Sequence, residues 1–419
     1  MLFALTGPAA SSPAAGRFPQ PEFDSGHVLP VTATPAPRAI PWAYVDVAAL
    51  FLALSLATHL ALRQRSRAGL LTLSLASIGY FGFWRKGCIC PVGSTQNAVM
   101  ALFDPSYAIP ASVLAFFLLP LVFTLFFGRT FCAAVCPLGA IQDVVVLRPL
   151  RMPVWLSAAL GIVPVICLAL ALLFTAAGGM FFICRLDPFV GFYRLSGPST
   201  MLILGGVLLL AGVFIARPYC RFFCPYGVLL NWASRLSKWH VTITPDDCVH
   251  CRLCEASCPF DAIRVPSAPM APAARRMETR TLAILLLVLL VATLAGGWVG
   301  SRMAPLLADV HPAVRLARLA AAQDSGALTE STVELDALRQ SARSSADLNE
   351  EAAAIQRRFL VGARIAGGFV GAAFVLQLIG LTLRRRVEHH IPDRGDCFSC
   401  GRCFRYCPRE HVRLRKLEK

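Results

Sequence analysis

Seven apolar stretches constrain this 419-residue chain more than any other feature, because each is about long enough to cross a lipid bilayer as a helix. Inside lipid a backbone must satisfy its own hydrogen bonds, and a helix does so without a partner segment. The sequence therefore predicts an all-α membrane protein with about seven transmembrane helices. They are expected at residues 43–61, 69–84, 109–127, 154–177, 200–216, 282–299 and 359–383.

Composition supports a membrane protein. Apolar residues make up 56% of the chain and charged residues only 15%, whereas soluble domains have about half and about a quarter. The net charge of +16 would also suit nucleic-acid binding. Lys and Arg gathered in cytoplasmic segments explain this charge more simply, so no nucleic-acid partner is expected.

Eight of the sixteen cysteines stand in two runs of the form C-x2-C-x2-C-x3-C-P. Two-cluster ferredoxins use this spacing, and the fourth cysteine of each run binds the other cluster. Zinc also takes four thiolates, but its sites separate two C-x2-C pairs by a longer loop and need no following proline. We expect two 4Fe-4S clusters in a small α+β ferredoxin-like domain assembled from two separated segments. The ligands are Cys248, Cys251, Cys254 and Cys258, and Cys397, Cys400, Cys403 and Cys407.

A second cysteine pattern recurs at the ends of the apolar stretches. Residues 85–93, 129–139 and 217–227 each contain R-x-x-C and end in C-P-h-G, where h is apolar, and residues 184–191 form a partial copy. Proline directly after a thiolate predicts the first turn of a new helix, whose positive end favours anionic sulfur. We call these segments collar motifs.

Helix direction sorts the collar cysteines into two sets. Cys132, Cys136, Cys220 and Cys224 are expected at the cytoplasmic boundary, where they would bind a further cluster or remain as reduced thiols or transient disulfides. Cys88, Cys90 and Cys184 are expected together at the outer boundary, with Asp187 as a candidate fourth ligand. This three-cysteine collar fits a two- or four-iron cluster, a soft-metal site of the copper type or redox-active thiols. Cys167, in the middle of a predicted helix, is interpreted as a small buried apolar residue.

Charge in the loops predicts the topology. Three arginines lie between the first two stretches, eight Lys or Arg lie in residues 217–276, and eleven follow residue 383. The positive-inside rule makes these segments, and with them both ferredoxin runs, cytoplasmic, and leaves the N-terminus and residues 301–357 outside. We expect a multi-pass protein of a bacterial cell (inner) membrane.

The predicted organisation follows from these patterns. In chain order it comprises an irregular extracytoplasmic tail (1–41), a five-helix membrane domain with the collars (42–240), the first ferredoxin half (241–268), a sixth transmembrane helix (280–300), an outer helical segment (301–357), a seventh transmembrane helix (358–384) and the second ferredoxin half (385–419).

The C-x3-C-P motifs at Cys132/Cys136 and Cys220/Cys224, followed by a ferredoxin run, resemble the membrane polyferredoxins of the NapH, NosR and CcoG type. The resemblance covers roughly residues 70–265 and 395–410. It implies a 4Fe-4S membrane protein that passes electrons between a quinol pool or cytoplasmic donor and a partner reductase or a maturation system. The chain departs from that pattern in three ways: it has no S-G-A-T flavin motif, its first collar is C-x-C-P, and its ferredoxin runs are far apart.

The sequence thus predicts a membrane-bound iron–sulfur electron-transfer protein that relays electrons between a cytoplasmic or quinol donor and an outer-face acceptor. The alternatives are a copper reductase for cofactor assembly and a redox sensor or scaffold. Expected partners are the membrane, redox proteins such as a flavoprotein or an outer-face reductase, and a quinone. The sequence has no acid–base or nucleophile constellation, so we expect a redox subunit of an oxidoreductase without a substrate-converting site of its own.

Overall fold

The computed structural model describes residues 40–87, 90–243, 248–266, 272–326, 333–340, 344–382, 387 and 389–417. These residues form two compact units. The larger unit contains the described residues of Ala39–Leu307 and Arg358–Lys419, and the smaller one contains those of Ala308–Arg357. The tail predicted for residues 1–41 lies outside the described residues, except for its last two positions, which begin the first helix.

Twelve α-helices precede the first ferredoxin run in the described part of the chain. They are α1 (Ile40–Thr58), α2 (Arg67–Ser77), α3 (Pro91–Phe103), α4 (Ala111–Phe127), α5 (Pro137–Val145), α6 (Val154–Gly161), α7 (Val163–Gly178), α8 (Phe182–Leu186), α9 (Pro188–Arg194), α10 (Ser199–Gly212), α11 (Pro218–Phe222) and α12 (Pro225–Arg235). Short π-helical segments extend α1 at His59–Arg63 and α2 at Ile78–Trp84, and another occupies Phe131–Val135.

The rest of the chain adds seven helices and two very short strands among the described residues. They are α13 (Leu253–Ser257), β1 (Ile263–Arg264), α14 (Pro272–Ala308), α15 (Pro312–Asp324), α16 (Val333–Gln340), α17 (Ser345–Thr382), β2 (Ile391–Pro392), α18 (Arg402–Tyr406) and α19 (Pro408–Leu417).

Apolar helices dominate the larger unit. Four of the described helical segments are long and apolar enough to cross a membrane: Pro41–Arg63, Val154–Gly178, Arg280–Ala308 and Ser345–Leu381. The pair α9 and α10 adds a fifth if its two members, bent by 104°, form one broken span. The predicted helical membrane protein is therefore confirmed, and the predicted number of seven transmembrane helices stays a prediction.

Short helices occupy segments that the hydropathy pattern alone assigns to loops. Helix α3 lies beside α4 and α7, and the Gln96 amide donates a hydrogen bond to Thr175 Oγ1 in α7 at 3.1 Å. Helix α9 folds back against α10. Both helices are too short to cross a bilayer by themselves.

Helices α15 and α16 and the beginning of α17 form the smaller unit. The His311 ring caps α15 by accepting a hydrogen bond from the Ala313 amide at 3.2 Å. Asp309 and Arg318 form an ion pair, and Val314 and Leu335 are buried. This unit corresponds to most of the helical segment predicted for residues 301–357.

Small residues bring α14 and α17 into close contact. Gly296 and Gly300 face Gly367, and a Cβ atom added at Gly367 would overlap the Gly296 carbonyl and lie 3.1 Å from the Gly300 Cα atom. Stripes of small residues at a spacing of four allow helices to approach in lipid, where backbone packing replaces the hydrophobic effect. The two helices therefore form a hairpin whose contact depends on the absence of side chains.

Replacing Gly367 with valine is expected to separate this hairpin, because the new side chain would collide with the backbone of α14. Overpacking alone costs about 1–3 kcal/mol. The change is measured as a lower midpoint of thermal unfolding in detergent. Gly380→Val is the matched control on the same helix, since among the described residues no atom outside its own helix backbone and chain neighbours lies within 4 Å of its Cβ position. Equal midpoints for the two variants would contradict the prediction.

Candidate metal centres

The two ferredoxin runs lie side by side, although α14 to α17 separate them in the sequence. Strand β1 pairs antiparallel with β2, so that Ile263 lies opposite Pro392. The rings of Phe260 and Phe398, one from each run, are stacked with centroids 4.5 Å apart. These contacts bring the cysteines of the two runs into one body.

Each of two small cavities in this body is lined by cysteines from both runs. Cys407 of the second run joins the first three cysteines of the first run around the first cavity, and Cys258 joins the first three cysteines of the second run around the second cavity. The first cavity is lined by Cys248, Cys251, Cys254 and Cys407, and the second by Cys258, Cys397, Cys400 and Cys403. This exchange of the fourth cysteine is the arrangement that the spacing predicts.

Left-handed residues shape both cysteine loops in the same way. His250 and Arg252 have φ angles of 52° and 59°, and the equivalent Ser399 and Gly401 have 52° and 73°. Arg252 and Gly401 also stand at the N-caps of α13 and α18. Alternation of right- and left-handed residues turns backbone N–H groups toward one side and makes a concave site for an anion. The local backbone is therefore suited to holding anionic sulfur.

A group of histidines beside the first cavity was not expected from the sequence. The Nδ1 atom of His390, a buried residue, lies 4.0 Å from Cys248 Sγ, and its ring centroid lies 5.7 Å from that of His250. His250 stands within the first run and His390 directly precedes β2. In the sequence, the only indication of this group was that both histidines stand next to a cysteine run. Their rings come together only because the two runs pair in the folded chain.

The collar motifs start helices at their proline, as predicted. Cys90, Cys136 and Cys224 are the N-cap residues of α3, α5 and α12, and proline is the first residue of each helix. Asp187 caps α9 in the same way, and its carboxylate accepts a hydrogen bond from the Phe189 amide at 3.0 Å. The partial copy therefore places a carboxylate where the other three copies place a thiol.

The four-cysteine collar forms one group. Cys136, Cys220 and Cys224 all pack against the small apolar cluster of Leu138, Phe189, Tyr193 and Tyr219. Cys132 is buried, and its sulfur is close enough to those of Cys136 and Cys220 for electrostatic interaction. The Gln142 amide donates a hydrogen bond to Cys220 Sγ at 3.3 Å. The structure thus brings all four predicted residues together.

The described part of the three-cysteine collar also comes together. Cys90 interacts electrostatically with Cys184 and with Asp187. Cys184 Sγ donates a hydrogen bond to Gln96 Oε1 at 3.4 Å, and a Cβ atom at Gly93 would lie 3.3 Å from the same sulfur. Cys88, the remaining predicted ligand, lies outside the described residues.

The predicted location of the two collars at opposite membrane faces is wrong. Cys90 packs against the same apolar cluster as Cys136, Cys220 and Cys224, and Tyr219 of that cluster hydrogen-bonds to Asp187. The collars are therefore neighbours within the bundle. The prediction failed because it counted the segments of α3 and α9 as loops, whereas they are helices that pack within the bundle.

Asp143 in α5 connects the collars with the second ferredoxin run. Its carboxylate lies 2.6 Å from the Arg67 guanidinium, 3.4 Å from that of Arg217 and 3.5 Å from that of Arg402. Burial would raise the pKa of Asp143, but these three arginines outweigh burial and hold the pKa below its ordinary value. The buried carboxylate therefore stays charged at neutral pH.

One group of possible metal ligands is close enough for a single ion. Among the described residues, only Cys248, His250 and His390 place three ligand atoms within 4.8 Å of one another. Cys248 and His390 also line the first cavity.

Comparisons with known proteins point to the same cofactor. One family model for a 4Fe-4S binding domain matches residues 109–158 and 196–244, and a second 4Fe-4S binding-domain model matches residues 241–264. The first match contains the four-cysteine collar, and the second contains the first ferredoxin run. No solved structure matches the chain significantly.

Curated relatives cover parts of the chain. It is 27% identical over 192 residues to the uncharacterized protein MJ0750 of Methanocaldococcus jannaschii, covering 43% of this chain and 77% of that protein. It is 29% identical over 158 residues to the putative electron transport protein YccM of Escherichia coli, covering 33% and 43%. It is 28% identical over 214 residues to protein NirI of Paracoccus denitrificans, covering 48% and 31%. The chain thus spans less than half of YccM and NirI.

The domain matches and the long apolar helices define a membrane protein that binds 4Fe-4S clusters. The resemblance to the membrane polyferredoxins that was drawn from its cysteine motifs is confirmed. Iron–sulfur electron transfer is the function that these matches and the named electron-transport relative support.

Proposed function

We propose that this protein relays single electrons between a cytoplasmic or quinol donor and an acceptor or partner reductase at a bacterial cell membrane. When bound, iron–sulfur clusters supply the one-electron chemistry. The chain supplies the sites that hold them, the charge around them and their exclusion from water.

Four sets of residues would hold the redox centres. The first two sets are the cysteines that line the two ferredoxin cavities, and each would hold one 4Fe-4S cluster. The third set is the four-cysteine collar, which would hold a further cluster. The fourth, with a cluster or a soft metal, is the three-cysteine collar with Asp187 as its additional ligand. A carboxylate at the position of a thiolate would change the electronic character of this last site.

One observation carries the proposal: two side chains, those of Phe398 and Arg129, connect the second ferredoxin cavity with the four-cysteine collar. Phe398 lines the second cavity, and the Arg129 guanidinium lies 4.0 Å from the centre of its ring. Arg129 Nη2 in turn lies 3.9 Å from Cys132 Sγ in the four-cysteine collar. Electron transfer weakens steeply with distance, so sites arranged this closely suit a relay.

The proposed topology places the ferredoxin body in the cytoplasm. Contacts between the loops rich in arginine and the ferredoxin body support it. Arg65 pairs with Glu410 at 2.9 Å, and Arg151 lies 3.6 Å from Glu255. Because these arginines come from different interhelical loops, the loops and both runs share one side of the bundle, which the positive-inside rule assigns to the cytoplasm.

Cys184 is the proposed point of contact with the acceptor. It belongs to the site farthest along the relay from the ferredoxin cavities, and it is exposed on the bundle. A membrane redox protein, such as a flavoprotein or reductase subunit, or a quinone would approach from this side.

Counting iron in anaerobically purified protein tests the third centre. Cys136→Ser should lose about four iron and four sulfide ions per chain relative to the wild type, because a cubane needs its four thiolates. Iron, labile sulfide and copper are measured together with the spectra of the reduced clusters.

Cys167→Ser is the matched control, since Cys167 lies in the middle of α7 and outside all four proposed sets. It should keep the iron content and the spectra of the wild type. Equal iron in Cys136→Ser and wild type would refute a cluster at the four-cysteine collar. Copper in place of iron would favour the metal reductase.

A further inference from the structure

The arginines of two collar motifs each reach into the other motif. Arg217 is fully buried and Arg129 nearly so. A Cβ atom at Gly139 of the first motif would lie 3.3 Å from Arg217 Nη1, and one at Gly227 of the second motif would lie 3.6 Å from Arg129 Nη2. Both motifs have the same spacing from arginine to glycine. In each motif the arginine places its guanidinium group in the other motif, and the glycine leaves room for the guanidinium group that enters from there.

Backbone carbonyls hold these two arginines in place. Arg217 donates to the carbonyl oxygens of Cys132 and Ala133, the latter at 3.2 Å, and Arg129 donates to that of Gly395 at 3.1 Å. The Nε atoms of both arginines are buried and have no hydrogen-bond partner among the residues that the structure describes. Buried N–H groups without partners are costly, and sulfur atoms of a cluster beside them would accept these hydrogen bonds.

Both guanidinium groups stand between the four-cysteine collar and the second ferredoxin cavity. Their centres lie 4.0 Å (Arg129) and 5.8 Å (Arg217) from the centre of the Phe398 ring, which lines that cavity. Arg217 interacts electrostatically with Cys220 and Cys132 of the collar and with Cys400 of the cavity. Each positive charge therefore acts on both sets of thiolates.

The third motif arginine provides a contrast. Arg85 occupies the same position before the three-cysteine collar, but its Nε atom pairs with the buried Asp46 at 2.9 Å. Its charge is therefore neutralised locally. Arg217 shares Asp143 with two other arginines, which leaves excess positive charge at the four-cysteine collar.

Building on the proposed function, we propose that Arg129 and Arg217 set the reduction potential of the four-cysteine collar. One-electron reduction adds a negative charge to a cluster. A fixed positive charge nearby stabilises the reduced form more than the oxidised form and so raises the potential. The charge matters here more than the shape of the side chain.

A redox titration followed by electron paramagnetic resonance tests this with two variants of Arg129 in the full-length protein. Arg129→Gln removes the charge. It should lower the equilibrium constant for reduction of the collar cluster at least tenfold, which corresponds to a fall of about 59 mV in the midpoint potential for one electron. Arg129→Lys keeps the charge and should stay close to the wild type. Arg302→Gln, which removes an exposed charge on α14, is the control and should leave the potential unchanged.

The iron content distinguishes a failure of the proposed collar cluster from a failure of the role proposed for the arginine charge. If Cys136→Ser loses no iron, there is no collar cluster and the proposed function fails at this site. If the collar signal is present but Arg129→Gln leaves its potential unchanged, or Arg129→Lys shifts it equally, only the role of the arginine charge is refuted. Should Arg129→Gln lose the cluster, Arg129→Lys must retain both iron and potential, and its failure would overturn the inference.

Discussion

Replacing Asp143 with asparagine is expected to destabilise the larger unit strongly. Asparagine preserves the shape but removes the counter-charge of Arg67, Arg217 and Arg402, two of which are nearly or fully buried with it. Breaking a buried ion pair costs about 3–5 kcal/mol, because a charge is left without compensation. In this protein one carboxylate compensates three arginines.

The loss should be concentrated where the ferredoxin body meets the bundle. Arg67 also donates to the Cys400 carbonyl at 3.1 Å, and Arg402 belongs to α18. Without Asp143 both arginines lose the anion that orients them, so residues 389–417 should detach more readily. The detachment is measured by limited trypsin digestion, because this segment is rich in arginine, and by the midpoint of thermal unfolding.

Asp324→Asn is a suitable control, since Asp324 is exposed at the end of α15 in the smaller unit. It should digest and unfold like the wild type. A digestion pattern of Asp143→Asn that equals that of the wild type would contradict the structural role given to this carboxylate.

The helical membrane character and the collar helix starts were predictable from the sequence, because both depend on local patterns. Apolar stretches define helices by length, and proline after Cys136 or Cys224 fixes the first turn of a helix. The sequence also predicted that the two ferredoxin runs lie in one body, since an exchanged fourth cysteine requires this. The pairing of β1 with β2 brings the two runs together. These inferences need only spacing or length.

Relations between distant segments were not predictable in the same way. The hydropathy pattern missed α3 and α9 because they are short and partly polar, and the two collars were consequently placed at opposite faces. The arginine at the start of each motif was visible in the sequence. Its contact with the glycine of the other copy depends on how distant helices pack, such as α5 against α11, which no local pattern specifies.

The last prediction follows from the exchange of the fourth cysteine between the two ferredoxin runs. Cysteines that are far apart in the sequence should then behave as ligands of one cluster. Cys407 and Cys251 line the first cavity, whereas Cys258 and Cys400 line the second. Cys407→Ser is therefore expected to lose the same reduced-cluster signal as Cys251→Ser, with about four iron ions per chain. Cys258→Ser should lose the other signal, the one that Cys400→Ser removes.

Double variants show which cysteines bind the same cluster. Cys251→Ser combined with Cys407→Ser should lose no more iron than either single variant, because residues that act as one site are not additive. Cys254→Ser combined with Cys258→Ser should lose about twice as much, although the two residues are neighbours in one run. Each signal is followed by electron paramagnetic resonance of the reduced protein. If Cys407→Ser instead removed the signal that Cys400→Ser removes, each run would hold its own cluster, and the two cavities would not be the cluster sites.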